Sequence, residues 1–204
     1  MIIGVLKEIH PGERRVAMAP SVVKQQCLKN AHSVLLEQGA GVIANFTDDQ
    51  YEDSGAEIVE TAHQVWERAD VILKIRPPEE NQETGEHEAD LLRKDACLIC
   101  LLNPGRNSDL LQKLAKTGGT AIAVDQIPRI SRAQSMDVLS SMANISGYRA
   151  ITEAAHHFGR LFTGQITAAG RISPAKVLVI GAGVAGLSAV GAAQSLGCLL
   201  YTSP

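Results

Sequence analysis

The stretch from Lys176 to Gly191, KVLVIGAGVAGLSAVG, combines residue types that can together hold a diphosphate. Val177 to Ile180 is a short, mostly β-branched run suited to a strand. It meets Gly181, Ala182, Gly183, Val184, Ala185 and Gly186, a GxGxxG series, and a small-residue helical pattern follows. In that setting Gly181 allows the tight turn. Gly183 leaves no Cβ between the backbone and a pyrophosphate, and Gly186 lets the helix pack close to the strand. The first helical N–H groups and the positive end of the helix dipole would face the phosphates. A GxGxxG alone marks only a turn, but between a strand and a helix it predicts a dinucleotide-binding βαβ unit. Such units place an acidic residue about 20 residues further on, to hold the adenosine ribose. Here Gly197 is followed by Cys198-Leu-Leu-Tyr-Thr-Ser-Pro204, without a carboxylate. The Cys-Leu-Leu-Tyr part could pass for a second strand. The expectation is a truncated N-terminal piece that opens a nucleotide-binding domain without completing it, with 198–204 as a foreign tail.

Three polar clusters could also bind or position a ligand. Arg14 and Arg15 follow the first strand, where an arginine suits a carboxylate or phosphate and is more often a surface ion pair. Lys74 and Arg76 end a strand, where crevices of parallel sheets take ligands. Solvation of their long stems is the competing reading. The third cluster runs from Arg129 to Ser140, RISRAQSMDVLS. Gln134, Asp137 and Ser140 step by three and would share one helix face. A glutamine can donate to and accept from a carboxamide, and a carboxylate can hold ribose hydroxyls. Capping and a solvated face compete with that reading. His156-His157 offers no metal spacing, and no metal site is expected. Cys97 and Cys100 lie in an apolar run where strand alternation points them to opposite faces, against a redox or metal pair.

The elements that must position these groups alternate. Strands are predicted at Ile2–Leu6, Ser33–Glu37, Asp70–Ile75, Ala96–Leu102 and Thr120–Val124. Helices are predicted at Pro20–Asn30, Thr61–Arg68, near Glu88–Arg93, and at Asp109–Lys116 with Ser108 as its cap. From Ser131 to about Phe162 the pattern is one long helix, bent near Gly147. Gly164 to Pro174 reads as a turn-rich passage. The expected fold class is α/β: two linked Rossmann-like parallel-sheet domains joined by a long helix, the second incomplete. The expected boundaries are an N-terminal α/β domain over 1–125, a connecting loop and helix over 126–165, the start of a dinucleotide-binding domain over 166–197, and the tail. With 45% hydrophobic but only 3% aromatic residues, the core must rest on aliphatic side chains, which suits a parallel sheet. A net charge of −3 gives no case for nucleic acid. No stretch approaches the apolar length of a membrane span, and the opening MIIGVLKEIH is too short and charged for a signal peptide. The widely spaced cysteines fit a reducing compartment.

Two segments carry a closer resemblance: the opening IGVLKEIHPGERRVAMAP, and Gln126 to Gly197, which begins QIPRISRAQSMDVLSSMANISGYRA and runs through the glycine turn to AAQSLG. The chain up to Gly197 closely resembles the NAD(H)-binding first domain of proton-translocating NAD(P) transhydrogenases. The resemblance implies a Re/Si-specific enzyme that transfers hydride between NADH bound here and NADP(H) on another domain, coupled to proton translocation. It implies NAD(H) contacts from Gln134, Ser135, Met136 and Asp137, from Arg129 and Ser140 in the same loop, and from Gly181, Ala182, Gly183, Val184 and Gly186. Gln134 is the residue that would position hydride transfer. It further implies NADP-binding and membrane domains of a beta subunit as partners, a homodimer of the alpha domain, and a place on the cytoplasmic face of a bacterial inner membrane. The piece alone is expected to be inactive. Alanine dehydrogenases share the opening. Their substrate arginine matches Arg15, but their lysine falls on Arg76 and their acid–base histidine on Asn103, which cannot exchange a proton. An NAD-binding module without turnover is the reading from a different class.

Overall fold

Val34, Leu35 and Leu36 are buried in succession, which an isolated amphipathic strand never shows and a central strand of a covered parallel sheet must. The computed structural model describes residues 1–203, with backbone only for Leu28, Thr202 and Ser203. The chain forms two compact units, Met1–Pro128 and the residues from Arg129 onward. In the first, β1 (Ile2–Val5), α1 (Pro20–Asn30), β2 (Ser33–Glu37), α2 (Asp48–Glu52), β3 (Ala56–Val59), α3 (Ala62–Arg68), β4 (Val71–Leu73), β5 (Cys97–Cys100), α4 (Ser108–Thr117) and β6 (Thr120–Ala123) follow in order. The strands make one parallel sheet, β3-β2-β1-β4-β5-β6. Ile3, Val5, Val34 and Leu36 join Met18, Val23 and Tyr51 in one buried cluster. Leu35, Ile72 and Leu98 join Leu6, Val65, Trp66 and Leu114 in the other. The two clusters are the two faces of the sheet, so the α/β expectation holds.

Several expectations need correction. The sheet has a sixth strand, the edge strand β3, where none was predicted. Helix α4 starts at Ser108 with Asn107 at its cap position; the Asn107 amide instead donates to Leu102 O at 2.7 Å. The predicted helix at Glu88–Arg93 is a single 3₁₀ turn, Glu88–Leu91.

The second unit contains α5 (Val138–His157), β7 (Gln165–Thr167), β8 (Gly170–Ile172), β9 (Lys176–Ile180), α6 (Val184–Ser195) and β10 (Leu199–Ser203). The long helix does not begin at Ser131. Residues Ser131–Met136 form a 3₁₀ segment, and Asp137 interrupts it by capping α5. Gly147 lies inside α5, at a point where α5 and α6 touch. A Cβ there would collide with the carbonyl of Ala185, and Ser188 Oγ donates to Asn144 O at 2.7 Å beside it. The turn-rich passage contains the antiparallel hairpin β7–β8. β10 pairs parallel with β9, so the residues after Gly197 take the place of a second nucleotide-domain strand.

Candidate nucleotide-binding site

The glycine turn has the geometry its sequence demands. Gly181 sits at φ +103°, a conformation that L side chains rarely adopt. A Cβ at Gly186 would collide with the carbonyl of Gly181, so only glycine lets α6 start this close to β9. Nothing lies within 4 Å of where a Cβ of Gly183 would be, so the space above that backbone is open. Leu187 N makes the first helical bond, to Gly183 O at 2.9 Å. The amides of Gly183, Val184, Ala185 and Gly186 therefore precede the ladder, and no acceptor among the described residues takes them. Unpaired donors, a helix dipole and absent side-chain bulk fit a diphosphate. Val184, exposed on the first turn, and Ala182 complete the turn surface.

The Arg129–Ser140 segment is ordered around Asp137. Ser140 N donates to Asp137 Oδ1 at 2.9 Å, and Ser140 Oγ donates to Oδ2 at 2.6 Å. These bonds, with the nearby charge of Arg129, hold the Asp137 carboxyl below its ordinary pKa. Asp137 and Ser140 are brought together as a helix cap, and Gln134 does not share a helix face with them. Each carboxylate oxygen keeps acceptor capacity for a ligand hydroxyl. Gln134, Ser135 and Met136 stand exposed on the 3₁₀ segment just before the cap, and the Gln134 carboxamide has no partner among the described residues. The loop and the glycine turn belong to one unit, linked by the α5–α6 contact at Gly147.

The first two polar clusters merge at the carboxyl ends of β1 and β4. Glu13, 8% exposed, accepts from Arg15 Nε at 2.7 Å, from its terminal nitrogen at 2.6 Å, and from Arg76 Nε at 2.7 Å. Arg15, then Arg76, lower the Glu13 pKa to about 2 against the opposing effect of burial. Lys74 is not solvated. Its side chain is fully buried, 2.6 Å from Glu88 and 3.7 Å from Glu8. Glu8 also accepts from the amides of Ile75 and Arg76. The carboxylates Glu8, Glu13 and Glu88 were missed in the sequence, where they look like ordinary loop acids. Asn103 adopts a left-handed φ of +49°, and its amide donates to Asp125. Burial raises the Cys100 thiol to about 12 and also raises Cys97, so neither is a thiolate near neutrality. His156 and His157 are exposed on the last turn of α5. No group of three or more potential metal ligands occurs among the described residues, and none of their helices is long and apolar enough to cross a membrane.

Two family models match: "Alanine dehydrogenase/PNT, N-terminal domain" over residues 4–146 and "Alanine dehydrogenase/PNT, C-terminal domain" over 150–202. The NAD(P) transhydrogenase subunit alpha of Cereibacter sphaeroides is 50% identical over 201 residues, which are 98% of this chain and 37% of that subunit. A solved transhydrogenase from Sinorhizobium meliloti superposes with a TM-score of 0.92 at 38% identity, over 100% of this chain and 59% of the other. An L-alanine dehydrogenase structure superposes with a TM-score of 0.86 at 31% identity, over 99% and 54%. The chain thus spans roughly a third to three fifths of these relatives' length. It belongs to the alanine dehydrogenase/PNT family.

Proposed function

We propose that this chain is the NAD(H)-binding part of a proton-translocating, Re/Si-specific transhydrogenase, in which hydride moves between NADH here and NADP+ on another domain. The observation that carries this reading is the glycine turn: four unpaired amides beneath open space, in a chain so similar to transhydrogenase alpha subunits. When bound, the nicotinamide supplies the hydride chemistry. The chain's own residues bind, orient and exclude water. The amides of Gly183 to Gly186 hold the pyrophosphate, with Gly181 and Ala182 shaping the turn. Asp137 and Ser140 fix the start of α5 and, with Arg129, offer polar contacts to the nucleotide. Ser135 and Met136 line the nicotinamide side, and Gln134 bridges toward the second nucleotide. No side chain need exchange a proton, because alignment and dryness are what direct hydride transfer requires. The partners would be the NADP-binding and membrane domains of a beta subunit and a second alpha domain, at the cytoplasmic face of a bacterial inner membrane.

The alanine dehydrogenase reading is disfavoured by the charged cluster. Amination of a keto acid needs a proton-exchanging group where Asn103 stands. Arg15 and Arg76 already share Glu13, which leaves them partly neutralised. The test is a fluorescence titration of an intact alpha subunit containing this chain. NADH is expected to bind at least about tenfold more tightly than NADPH, and tighter NADPH would sink the assignment.

A further inference from the structure

Ser141, Thr152 and Ser195 each donate back along their own helix, to Asp137 O, Arg149 O and Gly191 O. That is the local bond a serine or threonine in a helix makes by default. Ser188, half-buried on α6, does otherwise. Its Oγ crosses to α5 and donates to Asn144 O at 2.7 Å. The apolar part of the same helix contact is built from small groups. The Ala185 carbonyl lies against Gly147, where a Cβ would collide with it, and Ala189 and Ala193 are buried with Ile151. Such faces let two helices approach closely. Burial is non-directional, however, so it fixes their separation better than their register along each other. A hydrogen bond is directional and holds one register.

The bond lies close to both halves of the proposed nucleotide site. Asp137, which caps α5, stands seven positions before Asn144, roughly 10 Å along the helix. Gly183, at the start of α6, stands five positions before Ser188, roughly 8 Å. The register of α6 on α5 therefore sets the spacing between the Gln134–Asp137 loop and the amides of Gly183 to Gly186. Resting on the NAD(H) reading above, we propose that Ser188 is a positioning residue for the dinucleotide. Its hydroxyl holds that spacing at the length one dinucleotide spans, before the ligand arrives. Without it α6 is free to shift along α5, and NADH must order the two halves as it binds. A ligand that touches only the phosphate turn meets no such cost.

Calorimetric titration of an intact alpha subunit containing this chain, with NADH and with ADP, tests this. ADP carries the adenosine and the diphosphate but no nicotinamide. Ser188→Ala is expected to weaken NADH at least about fivefold and ADP less than about twofold, the first on the scale of one lost hydrogen bond. The variant should fold, with unchanged circular dichroism. The Asn144 carbonyl keeps its place in the ladder of α5, and alanine suits a helix interior. Ser188→Thr keeps the hydroxyl and should hold both affinities within about twofold of the parent. Equal weakening of NADH and ADP would reveal a general loosening of α6 and overturn the proposal. Unchanged NADH binding in Ser188→Ala, or a Ser188→Thr as weak as Ser188→Ala, would overturn it too. An unaltered subunit that binds ADP but not NADH would remove the NAD(H) reading, and this inference with it.

Discussion

Glu13 holds two arginines at once, and its protonation has a calculable cost. Its folded pKa of about 2 lies below the ordinary 4.5. The ionised form therefore stabilises the fold fully above about pH 4.5, and that contribution is lost as pH falls toward 2. Because Arg15 and Arg76 are partly exposed, screening reduces the gain to about 1–3 kcal/mol. Acid unfolding of the first unit, followed by fluorescence of Trp66, is expected to shift toward neutral pH in Glu13→Gln and to lose its steepness between pH 4.5 and 2. An unshifted curve would show that the arginines contribute nothing through this group. Lys74 makes a sharper case. Glu88→Gln leaves a fully buried ammonium with only the distant Glu8 carboxylate, and should destabilise by about 3 kcal/mol in denaturant titration. At the nucleotide loop, Gln134→Asn in the assembled enzyme should slow single-turnover hydride transfer at least about tenfold while changing NADH affinity less than about threefold. Shortening that side chain disturbs alignment and leaves the glycine turn intact. An unchanged rate would remove Gln134 from its proposed role.

At the scale of elements, Gly147 couples the proposed nucleotide loop to the proposed phosphate turn. Gly147→Ala places a methyl against the Ala185 carbonyl, on the first turn of α6. Both helices must shift, at about 1–3 kcal/mol. NADH affinity is expected to fall with stability, because α6 carries the amides that face the phosphates. Retained affinity in a destabilised variant would uncouple the two. Much of this unit was legible, since strand, glycine turn and helix each have a distinct local signature. The start of α5 was not. A three-residue step at Gln134, Asp137 and Ser140 is the same in a continuing helix and in a 3₁₀ segment ended by a capping aspartate. Only the hydrogen bonds to Ser140 separate them. Strand β3 was hidden by its brevity and by Glu57, which looks like a loop acid. At the sheet edge that carboxylate pairs with Arg68 at 2.8 Å. Helices α2 and α3 both begin with a Thr-x-x-Gln capping box, at Thr47–Gln50 and Thr61–Gln64, a start signal that is local in sequence. The buried Glu8, Glu13 and Glu88 were illegible for another reason. Arg15 lies two residues from Glu13, but the other partners lie 9 to 68 positions away, and no local pattern reports those.

At the scale of the whole molecule, the proposed function predicts which of two chemistries the protein lacks. An intact subunit containing this chain should show no pyruvate- and ammonium-dependent oxidation of NADH; clear activity would overturn the functional proposal. The strand order β3-β2-β1-β4-β5-β6 bears also on how the first unit is born. The earliest strand off the ribosome, β1, ends up at the middle. β2 and then β3 extend the sheet on one side, and β4, β5 and β6 extend it on the other. Every newcomer docks on an edge that is already open, and none has to be inserted between two strands already paired. A nascent chain emerging from its N-terminus can thus lay down this sheet in the order in which it is translated, without undoing any earlier pairing.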